Sequence, residues 1–193
     1  MRFLCLHGGG TNAKIFEIQV GGLKQKLESR GYQLAFVNEH RTELQDIFDG
    51  PFYDHYPRGL SSPGPYLTAS FAHVYRITSK TGPFDAVIGF SQGAALASAL
   101  LIHHHDKIAE SESLFKVGVS ICAGTPYETS GISKLNPKPG TASIHIPTAH
   151  IVGMQDPLFE DGIKLYRLCE PSKVFLYNHG SKHMVPFHET TRA

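Results

Sequence analysis

The chain has few of the residues that mark disulfide-rich or cysteine-ligated metal proteins. Tryptophan is absent from its 193 residues, and its three cysteines are Cys5, Cys122 and Cys169. Their odd number and wide spacing, without a Cys-x-x-Cys pair, exclude a disulfide framework and a zinc knuckle. We expect Cys5 and Cys122 to be buried thiols, because both lie in apolar, strand-like runs.

An excess of charge of one sign is also missing. Lys and Arg number 18 against 17 Asp and Glu, so the net charge is +1, and the basic residues are scattered. This balance favours neither a nucleic acid nor an anionic membrane as a partner. No apolar run is long enough to cross a bilayer, and no signal-peptide pattern precedes the first predicted strand. We therefore expect a cytoplasmic protein in a reducing compartment.

The composition that remains is ordinary for a globular protein, with 41% hydrophobic and 18% charged residues. The length suits a single domain, residues 1–193, with a substantial core. Apolar strand-like runs alternate with helical patterns, which predicts an α/β fold with a mostly parallel sheet and helices on both faces. The predicted strands are residues 2–7, 32–38, 115–123, 149–152 and 173–177, with one more beginning at Ala86; the predicted helices are residues 13–30, 67–79, 94–105 and 159–168.

The most informative segment is residues 85–101, DAVIGFSQGAALASALL. A short apolar run ends at Gly89-Phe90-Ser91-Gln92-Gly93, and small residues with good helix propensity follow. This order predicts a strand, a sharp turn with Ser91 at its apex, and a helix. Gly-x-Ser-x-Gly in that setting is typical of the nucleophile elbow of the α/β-hydrolase fold. The alternative is an ordinary tight turn that happens to carry a serine.

A serine nucleophile needs a base, and the base needs an acid to orient it. In this fold the acid and then the histidine follow the serine along the chain, on loops after later strands. Asp156 follows the predicted strand at 149–152 and is the candidate acid. Glu160 and Asp161 are alternatives, but they fall in the first turn of a predicted helix, where carboxylates have an ordinary electrostatic role.

Three histidines follow the candidate acid, namely His179, His183 and His188. His183 lies in the loop NHGSKHMVP just past the last predicted strand, where Gly180 gives the chain freedom to fold back over the sheet edge. We predict that His183 is the base. For His179 and His188 the better interpretation is a loop residue without a catalytic role.

Acyl transfer also needs backbone N–H groups that face the developing oxyanion. Gln92, the residue after the serine, supplies one at a helix N-terminus, and the glycine-rich turn after the first strand supplies the other, with Gly9 as the candidate. A phosphate-binding loop is the alternative for residues 8–10, but no Lys-Ser/Thr pair or Gly-x-Gly-x-x-Gly pattern accompanies it. We expect no metal and no cofactor, because no His-Glu-x-x-His motif is present and the serine mechanism needs neither.

Four segments resemble, in order, the conserved blocks of the fungal serine hydrolase family. They read MRFLCLHGGGTNAKIFEIQ, TGPFDAVIGFSQGAALA, HIVGMQDPLF and HGSKHMVP, and the resemblance covers nearly the whole chain. This family includes hydrolases similar to ovarian tumour suppressor candidate 2 and thioesterases and esterases of polyketide gene clusters. The resemblance implies Ser91, Asp156 and His183 as nucleophile, acid and base, with Gly9 and Gln92 at the oxyanion.

An irregular, lid-like segment at about 39–66 is rich in Gly, Pro, Ser and aromatic residues. Within it, Phe52, Tyr53 and Tyr56 are candidates for the wall of an apolar substrate pocket. We expect a serine hydrolase that cleaves an acyl thioester or ester. The resemblance implies a thioesterase that releases a polyketide chain from a synthase carrier domain in fungal secondary metabolism. The alternatives are a general carboxylesterase on small esters and a non-catalytic binding module.

Overall fold

A computed structural model describes residues 1–38, 42–43, 51–107 and 113–186, with only the backbone described for 42–43. The strands in this part of the chain, in chain order, are β1 (Arg2–Leu6), β2 (Gln33–Val37), β3 (Thr42–Glu43), β4 (Phe52–Tyr53), β5 (Ala86–Phe90), β6 (Val117–Ile121), β7 (Thr148–Val152) and β8 (Val174–Asn178). Six of them form one parallel sheet, in the order β2-β1-β5-β6-β7-β8. The predicted parallel sheet is confirmed.

The two faces of the sheet are both covered, because successive side chains of a strand point to opposite faces. Leu4 and Leu6 of β1 belong to one apolar cluster, whereas Phe3 and Cys5 of the same strand belong to a second. The five helices within the described residues are α1 (Ala13–Gln19), α2 (Gly21–Glu28), α3 (Pro65–Thr81), α4 (Gln92–Lys107) and α5 (Phe159–Arg167). Residues of α3, α4 and α5 join the first cluster, and residues of α1 and α2 join the second. Of the helices in these ranges, none combines the length and hydropathy that a bilayer crossing requires.

The predicted helix over residues 13–30 is two helices instead. α1 ends at Gln19. The backbone of the next residue, Val20 (φ −94°, ψ 13°), departs from helical geometry, and α2 begins at Gly21. Gly21 and Gly22 follow directly, and their low helix propensity explains why the chain breaks there. Phe16 is the buried residue of α1, so the first helix still anchors the chain against the sheet.

The predicted lid-like segment lies partly outside the described residues, since 39–41 and 44–50 are not among them. Its described part begins with a short antiparallel pair, in which Glu43 lies opposite Phe52 and Thr42 opposite Tyr53. The next residues turn inward, and Asp54 and His55 are each only 1% exposed. This stretch therefore packs into the protein before α3 begins, and a lid role for the whole segment stays a prediction.

A buried histidine on β7 ties stability to pH. His150 is 2% exposed, and its Nε2 lies 3.2 Å from Thr148 Oγ1 and 3.3 Å from Cys169 Sγ. Burial lowers the pKa of His150 to about 4. The folded protein therefore keeps this imidazole neutral at pH values where the unfolded chain protonates it.

We predict that acid weakens the fold through His150. As the pH falls from about 6.5 to about 4, the unfolded chain gains a proton that the folded chain excludes, so the free energy of unfolding should drop by about 3 kcal/mol. Gln cannot titrate, so between pH 7 and pH 4 the free energy of unfolding of His150→Gln should fall by about 3 kcal/mol less than that of the wild type. Urea unfolding at both pH values measures the two free energies. His105→Gln, at an exposed position, serves as the control. Identical pH dependence in the wild type and His150→Gln would contradict the prediction.

Candidate functional site

Ser91 occupies a strained turn between β5 and α4. Its φ is +52°, in the left-handed region that side chains rarely adopt, and its N–H donates to the carbonyl of Ile121 (2.9 Å). A Cβ on Gly89 would come within 2.5 Å of Ala94 in α4. A Cβ on Gly93 would come within 2.4 Å of two carbonyl oxygens, those of the last residue of β1 and of the residue after it. The two glycines are therefore needed for different contacts, one with the helix and one with the neighbouring strand.

The structure brings Ser91, His183 and Asp156 into one hydrogen-bonded chain. His183 Nε2 lies 2.9 Å from Ser91 Oγ, and His183 Nδ1 lies 2.8 Å from Asp156 Oδ2. The carboxylate only accepts, so Nδ1 carries the hydrogen and Nε2 is left to accept from the serine hydroxyl. The side chain of Asp156 is 1% exposed and that of His183 is 33% exposed. Ser91 is half-buried and lines a cavity, so the carboxylate is the member of the chain that is shielded from solvent.

The carboxylate of Asp156 is fixed at both oxygens. Oδ1 accepts the N–H of Leu158 (2.8 Å) while Oδ2 faces His183. The alternative acids lie elsewhere: Glu160 is exposed, and Asp161 accepts the hydroxyl of Thr125 (2.6 Å). Neither alternative acid is hydrogen-bonded to His183 in the described part of the chain.

The loop that carries His183 packs tightly against the end of β7. A Cβ on Gly153 would come within 2.3 Å of the Ser181 carbonyl oxygen, and Gln155 N–H donates to that same carbonyl (3.0 Å). His179 contacts Cys122 instead, with Nε2 3.6 Å from Sγ. His188, the third candidate histidine, lies outside the described residues.

The glycine-rich turn after β1 lies beside the start of α4. A Cβ on Gly9 would come 3.2 Å from Gln92 Oε1, so the two candidate oxyanion residues are neighbours. The Gly10 N–H donates to Asp54 Oδ1 (2.5 Å). Asp54 therefore accepts a hydrogen bond from one amide of the turn. Gly9, the residue before Gly10, lines the same cavity as Ser91 and Gln92.

The Gln92 side chain and His55 join this turn to the segment after β4. Gln92 Oε1 accepts the N–H of His55 (2.8 Å), and Gln92 Nε2 donates to the carbonyl of Tyr56 (2.7 Å). The His55 ring lies with Nε2 2.8 Å from the carbonyl oxygen of His7. The backbone of the candidate oxyanion hole is thus held by side chains from a distant part of the sequence.

Sequence analysis gave Asp54 and His55 no role, and it predicted Cys122 only as a buried thiol, which the structure confirms. No motif spacing indicated the first two, because their partners are backbone groups dozens of residues away. Cys122 offered one signal, since it directly follows β6, and the carboxyl ends of parallel strands lie at the same sheet edge as Ser91.

A cavity of about 390 Å³ opens beside Ser91. Its apolar lining includes Tyr56, Leu60, Ala95, Tyr127 and Leu158, together with the cations Arg58 and Lys134. Of the three predicted pocket residues, Tyr56 lines this cavity, and its ring meets that of Tyr127 edge-on at 5.9 Å. Phe52 is buried, and the backbone of Tyr53 pairs with that of Thr11. Neither residue is among the described residues that line the cavity.

Both cavity cations have a carboxylate partner. Arg58 Nε lies 3.1 Å from Asp54 Oδ2, and Lys134 Nζ lies 3.4 Å from Asp161 Oδ2. Burial alone would raise the pKa of Asp161, but the Thr125 hydrogen bond and Lys134 lower it below its usual value. Burial raises the pKa of Tyr56, so its hydroxyl remains protonated at neutral pH.

Cys122, Asp156 and His183 form the one group of three potential metal ligands found in the described ranges, with ligand atoms within 4.8 Å of one another. A sulfur, an oxygen and a nitrogen suit zinc by type. However, His183 and Asp156 already satisfy each other at 2.8 Å, which is the geometry of a hydrogen bond and closer than two ligands of one ion.

Comparisons with known proteins identify the family and the fold of the chain. Residues 1–193 match the serine hydrolase (FSH1) family. Esterase FPY3 of Fusarium mangiferae is 32% identical over 202 residues, covering 96% of this chain and 88% of the relative. Esterase FUS5 of Gibberella moniliformis is 27% identical, covering 99% and 82%. The crystal structure of a Mesorhizobium loti carboxylesterase is similar in fold, with a TM-score of 0.61, 16% identity, and 96% and 82% coverage.

We predict that Gly93→Ala destabilises the protein by about 3 kcal/mol or more, because the new Cβ meets carbonyl oxygens of the sheet, which cannot move aside. Gly124→Ala is the matched control, since nothing lies within 4 Å of its Cβ position, and it should change stability by at most about 0.5 kcal/mol. Urea unfolding of both variants measures the difference. Equal losses in the free energy of unfolding of the two variants would show that the close contact at Gly93 is not important for stability.

Proposed function

The chain belongs to the serine hydrolase (FSH1) family and is a hydrolase of the esterase type, and we propose that Ser91, His183 and Asp156 form its catalytic triad. The observation that carries the proposal is the hydrogen-bonded chain of 2.9 Å and 2.8 Å that runs from Ser91 through His183 to Asp156. The strained turn at Ser91 supports it, because such strain persists where the surrounding structure holds a functional residue in place.

The geometry supports acyl transfer in two steps. Ser91 Oγ attacks the carbonyl carbon of an ester or thioester while His183 Nε2 takes the hydroxyl proton. Asp156 holds the Nδ1–H and stabilises the imidazolium that results. The tetrahedral intermediate then expels an alcohol or thiol, which receives the proton from His183. Water, activated by the same imidazole, attacks the acyl-enzyme and releases the carboxylic acid.

The oxyanion of the intermediate is assigned to the backbone N–H groups of Gly9 and Gln92. Gln92 begins α4, so its N–H is one of those that an α-helix leaves without an intrahelical acceptor. Gly10 is a poor alternative, because its N–H already donates to Asp54. Donors held in place before the reaction stabilise developing charge without rearrangement, and each is typically worth about 3 kcal/mol of barrier.

The cavity beside Ser91 favours an apolar acyl group, because two tyrosines and two leucines are among its lining residues. In its sharper form the proposal is a thioesterase that releases a polyketide chain from a carrier domain. Arg58 and Lys134 support this form, since a phosphopantetheine thioester bears a phosphodiester and a small neutral ester bears no charge. A general carboxylesterase is the second candidate, and the esterase names of the relatives favour it.

We predict that Ser91→Ala loses hydrolysis of p-nitrophenyl and acyl-thioester substrates by at least about 1,000-fold, because the nucleophile is gone. A fluorophosphonate should add once to the wild type and not to the variant, as measured by intact-protein mass spectrometry. Ser98→Ala, which removes a hydroxyl that donates within α4 to Ala94, is the control and should be labelled like the wild type. Undiminished hydrolysis by Ser91→Ala would rule the mechanism out, and no adduct on folded wild type would favour a non-catalytic binding module.

We predict that Lys134→Met raises KM for a carrier-bound thioester about three- to tenfold, because one favourable charge contact is worth about 1 kcal/mol. KM for a p-nitrophenyl ester should stay within about twofold. Lys164→Met is the matched control, because Lys164 also faces Asp161 (3.7 Å) but is not among the lining residues of the cavity. Equal effects on both substrates would favour the general carboxylesterase.

A further inference from the structure

Cys122 shares an unusual backbone conformation with Ser91. These two are the non-glycine residues with positive φ in the described part of the chain, at +47° and +52°. Cys122 directly follows β6, and its N–H donates to the carbonyl of Ile151 on β7 (2.8 Å). Strain of this kind is retained where neighbouring structure holds the residue, and it concentrates at functional sites. The proposed mechanism explains the strain at Ser91 but gives Cys122 no role.

The Cys122 thiol contacts the His183 loop on both sides of the base. Its Sγ lies 3.6 Å from His179 Nε2 and 3.4 Å from the carbonyl oxygen of Met184. His179 Nδ1 accepts the N–H of Ser181 (3.3 Å), so the ring hydrogen is on Nε2, which donates to the sulfur. The thiol in turn donates to Met184.

The same sulfur lies against the candidate acid. Its distance to the ligand atoms of Asp156 and His183 is within 4.8 Å. Burial, reinforced by Asp156, raises the pKa of the Cys122 thiol to about 12, so the sulfur keeps its hydrogen at neutral pH. A protonated, 2% exposed thiol is a poor nucleophile, and its contacts suit a structural task within the site.

We propose that Cys122 is a positioning residue, whose thiol anchors residues 179–184 so that His183 Nε2 faces Ser91 Oγ. The anchor acts from β6, while Gly153 and the Gln155 N–H hold the same loop from the end of β7. This inference rests on the proposed function, because its effect on rate depends on His183 as the base. A displacement of about 1 Å at a catalytic group is enough to slow a reaction about 100-fold.

The test compares Cys122→Ala and Cys122→Ser with Cys169→Ala. Cys169 is the matched control, because it is also a buried thiol beside an imidazole, 3.3 Å from His150, but belongs to the β7–α5 region. Cys122→Ala should lower kcat for a p-nitrophenyl ester and the rate of fluorophosphonate labelling about 10- to 100-fold, with KM within about twofold. Cys122→Ser keeps a donor and an acceptor and should recover at least about half of the loss on a logarithmic scale.

Hydrogen–deuterium exchange of the peptide spanning residues 178–186 tests the anchor without reference to activity. The peptide should exchange faster in Cys122→Ala than in the wild type or Cys169→Ala, with melting temperatures showing that all variants fold. Unchanged exchange would overturn the inference whatever the activity. Faster exchange with undiminished labelling would also overturn it, because the loop would then not position the base. Faster exchange in a protein whose wild type never labels would support the anchor and refute the proposed function.

Discussion

The close approach of α4 to the first strand is the contact on which the rest of the site depends. Gly93 lies so near the carbonyl oxygens of Leu6 and His7 that no side chain fits between them. This contact sets the N-terminus of α4 beside the glycine-rich turn after β1 and leaves Ser91 at the apex between them. The candidate nucleophile and the candidate oxyanion donors are thereby positioned by backbone packing, which changes little when surrounding side chains move.

The parallel sheet supplies the remaining groups because its strands all end at the same edge. The turn after β1, the elbow after β5 and the loops after β7 and β8 meet there. The Gln155 N–H donates to the Ser181 carbonyl and so joins the last two loops. Asp54 and Gln92 brace the candidate oxyanion hole, and Leu158 N–H fixes one oxygen of Asp156. The assignment of Cys122 adds the end of β6 to this set and gives its strained backbone a physical reason.

The predictions that succeeded depended on local sequence. The order of strands and helices followed from apolar runs and helical spacing, and the elbow followed from the steric needs of its glycines. The prediction of one helix over residues 13–30 was wrong, because the chain breaks at Val20. The prediction followed the apolar spacing and gave too little weight to the low helix propensity of the two glycines that come next. The role of Asp54 was not predictable, since its partner Gly10 lies 44 residues earlier and no pattern in the sequence links a carboxylate to a backbone amide.

The sequence by itself determined the class of fold, the turn that carries Ser91 and the short set of residues from which a base and an acid must come. Only the tertiary structure showed which of them lie together, because a hydrogen bond of 2.9 Å between residues 92 positions apart is a property of packed strands and loops. In the folded chain His183 is hydrogen-bonded to Ser91, and His179 contacts Cys122. Tyr56 lines the cavity, whereas Phe52 and Tyr53 are not among its lining residues. Local steric constraints depend on residues that are neighbours in the sequence, whereas distances across a sheet depend on the packing of the whole core.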